Sequence, residues 1–293
     1  MKVLLRKVHA GLIDFCDRLH CYRLKMSLVH LRYLSPRGLL NFLRAVATEL
    51  AYAPLDLIIT RRNCPVCGWK GFEFSPVFLN DNFRARTRCP SCLTFERHRL
   101  LYHRLSQIKK ENSTPRVLFV GPNTRFTASI FPDTSFTLDI FPFNYPDVVG
   151  DLAFLPFADA AFDLAVCFRV LEHVPADRQA LEHLCRVLKR RGNLFLSVPL
   201  YKGLQNTHEY LGDRMTCPRG PTWSYPDHRR DYTIDDIIER IRQAGLDVKP
   251  LELDPNDPQY GALKTIPEND SVGKRMGLDY TDIVFECTPA QNR

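Results

Sequence analysis

From residue 116 onward, short apolar runs alternate with amphipathic stretches, and this alternation constrains the fold more than any other feature. "RVLFV" (116–120), "SFTLDI" (135–140), "DVVG" (147–150), "FDLAVCF" (162–168) and "NLFLSVP" (193–199) read as strands, followed by "LDVKPLEL" (246–253) and "TDIVFEC" (281–287). Between them the pattern predicts helices. "TRFTASIF" (124–131) is one. "PADRQALEHLCRVLKRRG" (175–192) is the strongest: Leu181, Leu184 and Leu188 share a face, basic residues fill the last turn, and Gly192 ends it. "TIDDIIERIRQAG" (233–245) opens on Thr233 as N-cap and closes on Gly245. Parallel strands need crossover connections, so strands separated by helices argue for an α/β fold with a mostly parallel sheet. The polar, proline-containing stretch 200–232 joins a strand to a helix and is long enough to be a lid or substrate loop.

Upstream lies a different kind of segment. "CPVCGW" and "RCPSC" set Cys64, Cys67, Cys89 and Cys92 as two CxxC pairs with 21 residues between them. Each pair makes a tight knuckle that aims two thiolates at one point, and two facing knuckles complete a closed tetrahedral zinc site. The ion would replace the core that so short a segment cannot build. A four-thiolate site has no open position, so this zinc is expected to be structural. The other cysteines (Cys16, Cys21, Cys167, Cys185, Cys217 and Cys287) are scattered and read as ordinary thiols in a reducing compartment. Trp69, Arg84, Arg86, Arg88 and "ERHR" (96–99) surround the pairs, either as a nucleic-acid contact or as a solvated basic rim. A helix is expected over about 94–110, with Leu101, Leu105 and Ile108 on one face.

The charge is uneven. Residues 1–62 carry 11 Lys and Arg against 4 Asp and Glu, so the whole net charge of +7 sits there. Residues 3–34 read as helix, and "SPRGLLNFLRAVATEL" starts a second, with Ser35 as N-cap and Pro36 at the first helical position. These basic helices can pack on the body, on a partner protein or on an anionic membrane surface. No secretory signal and no transmembrane stretch is evident, so the expectation is a cytoplasmic protein, with peripheral membrane contact open. The organisation read from sequence is basic helices over 1–62, a zinc ribbon over 63–93, a connecting helix over 94–114, and an α/β domain over 115–293.

In an open parallel sheet, ligands bind beyond the carboxyl ends of the strands. Gly121 ends the first strand of the α/β domain. Asp139 ends the second, 18 residues later, where a carboxylate can grip ribose hydroxyls. Asp151 follows the third, within reach of an adenine amino group. The fourth runs into Glu172 and His173 at the same edge. This ordered series, with "GDLAFLPFADAAFDLAVCFRVLEHV" and "ALEHLCRVLKRRGNLFLSVP", resembles the central block of class I S-adenosylmethionine-dependent methyltransferases across roughly residues 115–290. More narrowly, "CPSCLTFERHR" and "DHRRDY" (227–232) are similar to an uncharacterised bacterial subgroup with an N-terminal zinc ribbon. The resemblance implies a doubly wound, seven-stranded, mostly parallel sheet and an S-adenosylmethionine site. Carried over by position, Gly121 and Pro122 line the methionine side. Asp139 holds the ribose, Asp151 and Leu152 the adenine edge, and Phe168 the pocket floor. The first loop has one glycine where dinucleotide sites carry several, but S-adenosylmethionine brings no pyrophosphate to a helix N-terminus.

Methyl transfer needs alignment, exclusion of water and, for an acceptor that carries a proton, a base. His228 and His173 are the candidates, with His208, Glu172, Glu209 and Asp227 near them in the pattern. His173 can instead orient the strand-to-helix turn, and Arg229 and Arg230 can hold an anionic acceptor or lie solvated. "CFRVLEHV" is not an Asn/Asp-Pro-Pro-aromatic motif, which disfavours methylation of a nucleobase amino group. The expected reaction is O-methylation of a sugar, glycan or small metabolite. The alternatives are an RNA methyltransferase that docks through the zinc ribbon and an inert zinc-ribbon scaffold.

Overall fold

A computed structural model describes residues 36–79, 82–121, 130–142, 145–202, 204–210, 228–251, 279–281 and 283–291. The expected helices over 3–34 and 124–131, the cap Ser35, the loop residue Pro122 and most of the expected lid lie outside these residues. The described residues form two compact units, 36–99 and 100 onward.

In the first unit, α1 (Pro36–Leu55) starts at the proline that the sequence marks as a first helical position. Two short antiparallel pairs follow. β1 (Arg62–Asn63) pairs with β2 (Lys70–Gly71) across the first cysteine knuckle, and β3 (Ser75–Leu79) pairs with β4 (Asn82–Arg88). α2 (Glu96–Glu111) then begins and continues past residue 99. Its Leu101 and Leu105 are fully buried, as their shared face predicts.

The second unit is built on seven strands. These are β5 (Val117–Val120), β6 (Ser135–Asp139), β7 (Val148–Val149), β8 (Phe162–Phe168), β9 (Leu188–Ser197), β13 (Leu246–Pro250) and β15 (Phe285–Pro289). Their order is β13-β15-β9-β8-β5-β6-β7. β5 is parallel to β6 and β8, β6 to β7, and β8 to β9, while β15 runs antiparallel to both β9 and β13. This is the class I methyltransferase sheet that the resemblance implies. The chain leaves β5 in one direction for β6 and β7, then returns on the other side for β8. The switch in strand order, and the crevice that comes with it, therefore lies at the carboxyl ends of β5 and β8.

α3 (Asp177–Val187) and α4 (Ile234–Gln243) pack against this sheet. Leu181, Leu184 and Val187 of α3 and Ile237 and Ile241 of α4 are fully buried with Leu118, Ala165, Leu194 and Leu196. Each of these leucine, isoleucine and valine side chains contributes about 1.5–3 kcal/mol by leaving water. Thr233 caps α4 by accepting from Asp236 N–H, and Gly245 (φ 88°) terminates it, both as expected. α3 is shorter than predicted: Gly192 does not end it. Leu188 pairs with Phe162, and Lys189 Nζ lies 2.9 Å from Asp163, so residues 188–191 enter β9 directly. Phe162–Phe168 matches the apolar run residue for residue, whereas "TDIVFEC" divides between β14 (Asp279–Thr281) and β15. β14 pairs with β10 (Leu200–Lys202), and β11 (His208–Glu209) pairs with β12 (Arg230–Asp231).

Candidate functional site

At the carboxyl edge of the sheet, Gly121 sits at φ 93°, a left-handed conformation that favours glycine. A Cβ there would come within 2.6 Å of Val170 Cγ2, in the turn after β8. Glycine is therefore required twice over, by backbone and by contact. Asp139 ends β6 and is buried; its Oδ1 accepts from Phe141 N–H at 2.9 Å, which fixes the carboxylate at the strand end. Asp151 Oδ1 accepts from Ala153 N–H at 2.9 Å and caps the single turn Leu152–Phe154. Leu152 is buried in the sheet core, and Phe168, the last residue of β8, is also buried. β8 then passes through Arg169, a non-glycine residue at φ 59°, and enters the turn Leu171–His173. Positive φ in a side-chain-bearing residue is local strain, and such strain often marks sites.

That turn delivers Glu172 and His173 to the edge, and a second segment brings His228 to them. Arg229 N–H donates to Glu172 C=O at 2.7 Å. Arg230 donates to the carbonyls of Val174 (2.7 Å) and Pro175 (2.6 Å). Tyr232 Oη donates to Asp177 Oδ2 at 2.8 Å, and Arg240 Nη1 donates to the same oxygen at 2.8 Å. These bonds stitch residues 228–232 to 172–177. The His173 and His228 rings meet edge to face with centroids 4.8 Å apart. His228 is buried, with Nδ1 4.0 Å from Asp231 Oδ1, and Asp231 Oδ2 in turn accepts from Tyr210 Oη at 2.6 Å. Glu172 is 1% exposed, and its Oε2 has no hydrogen-bond partner. Its charge also helps burial to push the Cys167 thiol up.

Some sequence expectations change. Arg230 neither holds an acceptor nor lies solvated; it is buried and secures the segment before α3. Glu209 lies apart from the histidine pair in an ion pair with Arg240 (2.7 Å), and a hydrogen bond from that guanidinium holds its carboxyl below the ordinary value. His208 is exposed and stacks on Tyr210. Asp227 lies outside the described residues. Asp231 and Tyr210 were not expected. Asp231 lies within "DHRRDY", three residues beyond His228, where it was given no role of its own.

In the first unit, the Cys64, Cys67, Cys89 and Cys92 sulfurs all lie within 4.8 Å of one another. Cys64–Cys92 and Cys67–Cys89 are 3.6 and 3.7 Å apart. Zn–S bonds of about 2.3 Å in a tetrahedron would set sulfurs about 3.8 Å apart, so the donor set fits zinc without rearrangement. The two knuckles match. Gly68 N–H donates to Cys64 C=O and Leu93 N–H to Cys89 C=O, with Gly68 at φ 74° and Leu93 at φ 65°. Hydrogen bonds from Cys67, Cys89 and Cys92 draw the Cys64 thiol well below its ordinary range, while Cys89 is pushed up by the same cluster. Thr94 Oγ1 lies 3.1 Å from Cys92 Sγ. "ERHR" is mostly interior: Glu96, His98 and Arg99 are buried, and Arg99 stacks 3.9 Å from the Phe74 centroid while donating to the carbonyls of Thr94 and Thr87. Arg88 is buried as well. Among the remaining described cysteines, Cys167 and Cys287 are buried and Cys185 is half-buried, and none of the three forms a disulfide.

Residues 131–196 match the family model described as a methyltransferase domain. That span holds Asp139, Asp151, Phe168, Glu172 and His173, but neither the cysteine pairs nor His228. A Mycolicibacterium smegmatis protein described as a probable S-adenosylmethionine-dependent methyltransferase is 31% identical over 101 residues, which are 34% of this chain and 34% of that protein. The match thus spans about a third of the curated relative's length. Among solved structures, the chain is similar to an S-adenosylmethionine-dependent methyltransferase from Mesorhizobium loti (16% identity, 64% of this chain and 97% of that one, TM-score 0.42). It is also similar to the YcgJ protein of Bacillus subtilis (15%, 65% and 100%, TM-score 0.42). A third is CrArsM, an arsenic(III) S-adenosylmethionine methyltransferase from Chlamydomonas reinhardtii (13%, 61% and 65%, TM-score 0.39). Among the described residues, no helix is long and apolar enough to cross a membrane.

Proposed function

We propose that the protein is an S-adenosylmethionine-dependent methyltransferase that acts on a hydroxyl group of a sugar, glycan or small metabolite, and that it belongs to the zinc-ribbon subgroup. The observation that carries this reading is the convergence of Gly121, Asp139 and the Glu172–His173–His228 cluster on one sheet edge, at the switch in strand order. The cofactor, when bound, supplies a methyl group activated on sulfonium sulfur. Gly121 and Pro122 would line its methionine side, Asp139 would accept from its ribose hydroxyls, Asp151 and Leu152 would meet the adenine, and Phe168 would close the floor. Residues of this chain then have to align the acceptor, exclude water and receive its proton. The proton falls to the cluster at the mouth, where His228 and His173 are the candidate bases.

Cys64, Cys67, Cys89 and Cys92 hold a structural zinc ion in this reading. A docking role for the ribbon on RNA has less support, because Arg88 and Arg99 are buried and Arg99 donates inward.

Thermal unfolding with S-adenosylmethionine and with its demethylated product tests the reading. A ligand that binds only the folded state raises the midpoint. No rise at millimolar ligand would favour the inert scaffold. Asp139→Ala should abolish the rise while keeping the ligand-free midpoint within a few degrees; wild-type affinity in that variant would refute the ribose assignment.

A further inference from the structure

We propose that Glu172, His173 and His228 form a second metal site, which takes a divalent first-row transition cation and leaves positions open for the acceptor. The ion's role rests on the methyltransferase reading above; its binding does not. A carboxylate oxygen of Glu172 and a ring nitrogen from each histidine all lie within 4.8 Å of one another. Bonds of about 2.0–2.2 Å to one ion would bring such donors to roughly 3–3.6 Å, a contraction within reach of side-chain rotation.

Three features separate this cluster from a chance meeting of polar groups. First, Glu172 is almost fully buried, and its Oε2 lacks any hydrogen-bond partner. A buried carboxylate oxygen left in that state is costly, and a cation bound to it removes the cost. Second, Asp231 stands behind His228 and is held by Tyr210, an arrangement like the outer carboxylates that orient ligating imidazoles. Third, the backbone is built to keep the cluster together. The Arg229 N–H bond to Glu172 C=O and the Arg230 bonds to Val174 and Pro175 hold His228 against the turn that carries Glu172 and His173.

The donor set selects the ion. Two imidazoles and one carboxylate suit Zn²⁺, Mn²⁺, Fe²⁺ or Co²⁺, whereas Mg²⁺ and Ca²⁺ prefer oxygen throughout. Three protein ligands leave coordination positions free, the mark of a catalytic rather than a structural site. An acceptor hydroxyl bound there would lose its proton to bulk water far more easily than a free one, as metal-bound water does when its pKa falls from about 15.7 to about 7. The oxygen pair so exposed forms the new bond to the methyl carbon, and the pair of the breaking carbon–sulfur bond stays on sulfur. With both imidazoles engaged as ligands, the ion would replace them in the task of a general base. More than one open position favours an acceptor with a second oxygen beside the methylated one, as in a vicinal diol.

The test uses the full chain, dialysed against chelator until elemental analysis shows only the ribbon zinc, then titrated with Mn²⁺ and Co²⁺. One further ion per chain is expected, and Co²⁺ there should give weak visible bands without the intense near-ultraviolet absorption of thiolate ligation. Glu172→Gln and His228→Asn should weaken that ion at least about 100-fold, and Asp231→Asn about 10–100-fold. Should burial make the first two variants fail to fold, His173→Asn, at a half-buried position, gives the same readout. No ion beyond the ribbon zinc at millimolar metal, or a second ion indifferent to Glu172→Gln and His173→Asn, would overturn the proposal. The cofactor-induced midpoint shift in the same preparations keeps the two readings apart. A shift without the ion overturns the metal site alone, and the ion without a shift overturns the methyltransferase reading alone.

Discussion

Around the four cysteines, the buried apolar cluster consists of Cys64, Phe74 and Cys89, with Val66, Trp69 and Cys92 packed against it. The seven-stranded sheet encloses a cluster several times larger, drawn from six of its strands and from both flanking helices. The described cluster around the cysteines buries few apolar side chains and gathers four sulfurs that fit an ion; the sheet holds by burial and is free to spend polar groups at its edge. The same contrast runs through the two proposed ion sites. Four thiolates close one completely, while a carboxylate and two imidazoles leave the other open.

The largest expected effect breaks this contrast. Cys89→Ser should release the ribbon zinc, whose binding contributes on the order of 10 kcal/mol to folding in comparable small modules. Hydrogen exchange should then show residues 62–95 opening while the cofactor-dependent midpoint shift of the sheet unit persists. Loss of both together would show that the units do not fold independently. Next comes the buried charge cluster of the sheet unit, where Arg240 joins Asp177, Glu209 and Asp236. Arg240→Ala should cost about 3–5 kcal/mol in urea unfolding, because Asp177 keeps a buried charge with fewer partners. The ribbon's zinc content should not change. Gly121→Ala should cost about 1–3 kcal/mol through positive φ and the Val170 contact, and should weaken the cofactor-induced shift as well. The smallest effect is on pH. Glu209 has a folded value below its ordinary 4.5, so its contribution is complete above that value and is lost as pH falls through the lowered one. Acid unfolding of Glu209→Gln should therefore be shallower below pH 4.5 than that of the parent, by a small margin because the side chain is partly exposed.

Much of this was legible in the residues. A nearly fully buried strand such as β8 needs an apolar run, and "FDLAVCF" supplies six buried residues between a turn and a charge, with only Asp163 half-buried. Gly121, Thr233 and Gly245 carry local chemistry that few other residues satisfy. What stayed hidden depends on contacts made across the sequence. Leu188 continues the helical face of α3, yet pairing with Phe162 and the Lys189–Asp163 ion pair draw the chain into β9, and tertiary pairing overrides local preference. Arg99 and Arg230 read as surface cations because nothing nearby in sequence announces the carbonyls that receive them. The meeting of His228 with His173 is of the same kind: no periodicity links positions so far apart, and only hydrogen bonds between two turns bring them together.

The place of β15 in the sheet also bears on synthesis. Among the described residues, 246–250 pair in the seven-stranded sheet with β15 alone, and β9 keeps an open edge until residues 285–287 arrive. Glu286 then accepts from Arg104 of α2 and from Asn193 of β9. A nascent chain therefore carries a long, apolar, unpaired strand edge for almost a hundred residues of elongation, a window in which chaperone capture or edge-to-edge association competes with completion.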